Sequence, residues 1–71
     1  MAKMNILFNM KAISVYFIGT DQKLIPALIH ALRNNKLTML KMIQSLERVD
    51  LFHSEAILYS SDGNKARIPI F

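Results

Sequence analysis

The 71-residue chain has no cysteine and no tryptophan, only two glycines and two prolines, and only five acidic residues. Without cysteine no disulfide can brace the fold. His, Asp and Glu form no cluster with metal-ligand spacing either, so a structural metal is not expected and no cofactor is implied. Gly19 and Gly63 stand alone and read as a cap and a turn rather than as a phosphate-binding loop. Long apolar runs are also missing. In the N-terminal segment the longest is Val15-Tyr16-Phe17-Ile18, far short of the roughly 20 residues that a membrane-spanning helix needs. Asn5, Asn9, Lys11 and Ser14 interrupt this segment and no small-residue cleavage site follows it, so a cytoplasmic protein without a membrane partner is expected.

What the chain does have is apolar content and positive charge. Hydrophobic residues make up 52% of it, and the mean hydropathy is +0.24. That much apolar surface suits a dense single core over residues 1–71, with some of it shared with a second copy in a homodimer. Nine Lys and Arg against five Asp and Glu leave a formal charge of +4. Such a balance favours an anionic partner, nucleic acid first and a membrane surface second. With no long basic run, a moderately basic protein with a solvated surface is the plain alternative.

Periodicity divides the chain. Ile6, Met10, Ile13 and Phe17 recur at steps of four, three and four, the spacing of one helix face. Ile13, Val15 and Phe17 also alternate with Ser14 and Tyr16, so a strand, and with it a β-hairpin over residues 4–18, competes. Lys23-Leu24-Ile25, pressed against Pro26, reads as a short strand or extended link. Pro26 opens a helix to about Arg33 that buries Leu28, Ala31 and Leu32. Asn34-Asn35 ends it, and a further helix is expected over 38–49 with Met39, Met42, Ile43, Leu46 and Val49 inward. At the C-terminus Ile57-Leu58-Tyr59 and Ala66-Arg67-Ile68 flank Asp62-Gly63, a hairpin signal. With Asp62 and Gly63 as the central turn residues, Ile57 would oppose Ile68 and Tyr59 would oppose Ala66.

The order helix, short strand, helix, turn, helix, hairpin resembles the winged helix-turn-helix superfamily over nearly the whole chain. The residues that carry the likeness are Leu24-Ile25-Pro26, Ala31-Leu32, Lys36-x-Thr38-Met39, Lys41-Met42-Ile43, Leu46-Glu47-Arg48, Leu51-Phe52, and Asp62-Gly63-Asn64-Lys65 with Arg67. The resemblance implies a mainly α, α+β fold of three helices followed by a β-hairpin wing. It implies a non-enzymatic DNA-binding regulator that reads duplex DNA with the helix at 38–49 and the wing at 60–67. Lys36, Thr38, Lys41, Gln44, Ser45 and Arg48 would line the recognition helix, and Lys65 and Arg67 the wing.

Leu37 and Leu40 depart from that pattern, because winged helices present small polar residues there. They mark the alternative, a protein-interaction module, for which Tyr16 and Phe17 are further contact candidates. Tyr16 and Tyr59 read as half-buried packing residues, with base stacking as their competing role. His30 and His53 have no nucleophile or carboxylate placed to make them catalytic, and the five acidic residues form no acid–base pair.

Overall fold

The computed structural model describes residues 2–35, 42 and 44–70. It replaces the expected three helices and wing with a five-stranded mixed sheet and, among the described residues, one α-helix. The elements are β1 (Ala2–Phe8), β2 (Lys11–Phe17), a 3-10 turn (Gln22–Leu24), α1 (Ile25–Asn34), β3 (Leu46–Leu51), β4 (Glu55–Ser60) and β5 (Lys65–Pro69). The strands lie side by side in chain order. β2 and β3 run parallel and every other neighbouring pair is antiparallel.

The first expected helix is instead the β1–β2 hairpin. Phe8 pairs with Lys11 across the two-residue loop Asn9-Met10, and both loop residues have positive φ, 51° and 64°. That is the type I′ geometry whose twist matches the flanking strands. A helix over this segment would have to bury Met10, yet Met10 is 94% exposed and Phe8 is buried in its place. The period that governs is two: Ile13, Val15 and Phe17 point inward while Ser14 and Tyr16 point outward.

Beyond the bend at Gly19, Asp21 accepts a 2.8 Å hydrogen bond from the Lys23 N–H and starts the 3-10 turn where an extended link was expected. The turn runs directly into α1, with Pro26 in the first helical turn, where its missing N–H costs nothing. Leu28, Ala31 and Leu32, three and four apart, form the buried stripe. They join Phe8, Ile13, Val15, Phe17, Val49, Leu51, Leu58 and Ile68 in one core against the inner face of the sheet.

The expected recognition helix over 38–49 is overturned from its end: Leu46 to Val49 belong to β3. Lys36, Leu37, Thr38, Leu40 and Lys41 lie outside the described residues. Leu46 pairs with Ser60 and Arg48 with Tyr59, so Glu47 is an extra residue that makes a β-bulge. The bulge lets Leu46 and Val49, three apart, both face the core, which is how a strand came to carry helical spacing.

The wing is a β-hairpin, but its register differs by one from the expected pairing. Ile57 pairs with Arg67, Leu58 with Ala66 and Tyr59 with Lys65. The Gly63 N–H donates to the Ser60 carbonyl at 3.2 Å and the Ser60 N–H to the Asn64 carbonyl at 3.0 Å. Ser61-Asp62-Gly63 is therefore a three-residue loop, with Gly63 taking the left-handed position at φ 91°. One residue of slip sends every side chain of β5 to the opposite face.

Candidate functional site: a cation–tyrosine row on the outer sheet face

With α1 on one face of the sheet, the register fixes what the other face presents. Lys3 lies beside Tyr16, Ser14 beside Arg48 and Tyr16 beside Asp50, Arg48 beside Tyr59 and Asp50 beside Ile57, and Tyr59 beside Lys65. All of these side chains share the outer side because opposed residues point the same way. The bulge at Glu47 aims Arg48 outward while Leu46 stays in the core, a re-aiming that bulges commonly perform beside functional sites.

The result is an alternating row of cations and rings across the sheet. The Lys3 ammonium sits 5.7 Å from the Tyr16 ring centre. The Arg48 guanidinium is 4.2 Å from the same ring and 5.5 Å from that of Tyr59. Lys65 Nζ is 5.7 Å from Tyr59 on the far side. These separations are within the range in which a ring's quadrupole attracts a cation. Arg67, exposed and opposite Ile57, adds a further positive charge to the same side.

One carboxylate anchors the row. Arg48 Nε donates to Asp50 Oδ1 at 2.8 Å; the Arg48 side chain is 45% exposed and that of Asp50 only 9%. The hydrogen bond to Asp50 holds the guanidinium above its ordinary pKa, with the carboxylate's charge adding to the effect. The Tyr59 phenol is pushed above its usual 10.0 by desolvation first, then by a hydrogen bond to Asp50 that only the protonated phenol can donate. The Tyr59 phenol therefore keeps its proton further into the alkaline range. Among the described residues no buried side-chain polar atom lacks a partner.

The expected site residues fall into four groups. Tyr16, Arg48 and Lys65 come together in the row and Arg67 flanks it, all four on strands. Gln44 and Ser45 sit in the turn before β3. There the Gln44 carbonyl accepts from the Lys11 ammonium, and the Ser45 N–H and Oγ donate to the Met42 carbonyl at 3.0 and 3.3 Å, a local turn rather than a reading surface. Phe17 is buried in the core at 4% exposure and cannot be a surface contact. The remaining candidates lie outside the described residues.

Lys3 and Asp50 were not singled out from sequence; period-two alternation extended from Tyr16 to the neighbouring strands would have found Lys3. A depression of about 560 Å³ lined by Gly19, Thr20, Asp21, Leu24 and His53 lies just beyond the ends of β2 and β3, away from the row. Among the described residues no group of three or more His, Asp or Glu is placed to hold a metal, and no helix is long and apolar enough to cross a membrane. Comparisons with protein-family models, with curated proteins and with solved structures find no match to this chain.

Proposed function

We propose that the protein is a non-enzymatic nucleic-acid-binding module that takes single strands on its outer sheet face. The observation that carries this reading is the row Lys3, Tyr16, Arg48, Tyr59 and Lys65. The two half-buried rings are the apolar surface on which unstacked bases would stack in place of the neighbouring cations, worth about 1–3 kcal/mol per base, and the displaced cations would meet the phosphates. A duplex keeps its bases stacked and offers them only at groove edges, which call for a protruding helix or ribbon. β3 takes the last four residues, 46–49, of the stretch expected to supply that helix and lays Arg48 on a sheet, so the single strand is the partner this face fits. The formal charge of +4 supports the same reading.

Fluorescence anisotropy with a labelled single-stranded oligonucleotide, set against the matching duplex, tests it. The expected result is preferential binding of the single strand that weakens as salt rises and weakens further in Tyr16→Ala and Lys65→Ala. No binding at low salt, or duplex binding indifferent to both substitutions, overturns it.

A second reading, a protein-interaction module, is favoured by the Arg48–Asp50 pair, which already neutralises the centre of the row. It is also favoured by Leu7 and Met10, exposed near the tip of the first hairpin. Under this reading an apolar peptide binds the chain, Leu7→Lys and Met10→Lys weaken it, and single strands do not compete.

A further inference from the structure

The two edges of the sheet are built differently. β5 is blunted: Pro69 has no N–H to donate, and Lys65 and Arg67 put charge along the edge. β1 is seven residues long, with Lys3 as its one charged residue and no proline. Which of its backbone groups face outward follows from the hydrogen bonding. The Ile18 N–H donates to the Leu51 carbonyl of β3 at 3.0 Å, so the even-numbered residues of β2 bond to β3 and the odd-numbered ones to β1. Through the register Ile13↔Ile6 and Val15↔Met4, the even-numbered residues of β1 are spent on β2. The N–H and C=O groups of Lys3, Asn5 and Leu7 are left pointing away from the sheet.

We infer that β1 pairs antiparallel with β1 of a second copy about a two-fold axis at Asn5. Three features commit the edge to its own copy. Centred on Asn5, the register matches every N–H and C=O of the Lys3-Asn5-Leu7 triplet with those of its mate. It also sets Lys3 opposite the other copy's Leu7, so that no two like charges face each other directly. On the inner face it brings Met4 against the other copy's Ile6. Both are only partly buried in one chain, and the pairing extends the core across the axis.

The axis runs perpendicular to the sheet, so both outer faces end on the same side. The joined ten-stranded sheet then presents two cation–tyrosine rows as one surface. This pairing does not depend on the nucleic-acid reading, and its test contains no nucleic acid.

Sedimentation of the full chain across a concentration series reads the association directly. The wild type is expected to dimerise. Leu7→Lys, at a side chain 73% exposed and so free of the core, sets two lysines opposite each other and is expected to leave monomer. Lys3→Glu combined with Leu7→Lys restores opposite charges and the dimer. Because the chain has no cysteine, Asn5→Cys supplies a second arm. Its Cα would lie about 5.5 Å from its mate, within disulfide range, so mild oxidation should link it where Lys65→Cys on the other edge does not. A wild-type chain that stays monomeric, a dimer indifferent to Leu7→Lys, or equal linking at positions 5 and 65 overturns the proposal.

Discussion

At residue 10 a methionine sits where type I′ hairpins usually carry glycine. Its φ of 64° places Cβ in the crowded left-handed region, at a cost of about 1–2 kcal/mol that glycine escapes. Glycine gives back part of this through its greater freedom in the unfolded chain. Met10→Gly is therefore expected to stabilise the protein by about 0.5–1 kcal/mol in denaturant unfolding, since the exposed side chain has no packing to lose.

Asp62 makes a second prediction at this scale. The Ser60 hydroxyl donates to its carboxylate, and the Asn64 N–H approaches it at 3.3 Å. These bonds, the Ser60 one first, hold Asp62 below its ordinary 3.8. A carboxylate with a depressed folded-state pKa stabilises the fold fully above the unfolded value, and that contribution is lost as pH falls through the folded one. The unfolding temperature should therefore drop on acidification below 3.8, and Asp62→Asn should flatten part of that drop. An identical pH profile for the two proteins would mean that the Asp62 carboxylate does not hold the turn.

At the scale of elements, α1 is the lid on the inner face, and Leu28 is its most deeply buried residue. Leu28→Ala is expected to cost about 2–5 kcal/mol. That is a large share of the stability available to so small a domain, for which about 5 kcal/mol is typical. His30→Ala, on the exposed side of the same helix, should stay within about 0.5 kcal/mol. Urea unfolding of the two variants compares them directly.

This helix is also the element most legible from sequence, because Pro26 and the Leu28-Ala31-Leu32 stripe state its start and its face without competition. Elsewhere two periods overlapped. Ile6, Met10, Ile13 and Phe17 imitate a helix face only because a left-handed turn at Asn9-Met10 breaks the alternation between two strands. Leu46 and Val49 imitate one because the bulge at Glu47 adds a residue. At Asp62-Gly63 a hairpin was readable, but a third loop residue shifts its register. Nothing short-range separates a two-residue loop from a three-residue one closed by glycine.

For the whole molecule, the site was legible in its residue types and not in its assembly. Arg48, Lys65, Arg67 and Tyr16 could be singled out as candidates. What joins them to Lys3 and Tyr59 is the lateral order of five strands, a property of long-range pairing that no local pattern encodes. The parallel β2–β3 pair matters most here, because it sets Tyr16 one strand from Arg48 although 32 residues separate them in the chain. The same sheet that buries apolar residues on one side sets Lys3, Arg48, Lys65 and Arg67 beside the two tyrosine rings on the other.

Both tyrosines of the chain lie in that row, and the chain has no tryptophan, so its intrinsic emission reports on the proposed surface alone. The most direct measurement is this tyrosine emission during titration with a short single-stranded oligonucleotide, corrected for absorption by the bases. Bases that stack on Tyr16 and Tyr59 should quench the emission to a plateau, at low salt and less at high salt, with about half the quench lost in Tyr59→Phe read against Tyr16→Phe. Emission that stays unchanged while the oligonucleotide binds, or an oligonucleotide that does not bind at all, would contradict the outer sheet face as the nucleic-acid surface.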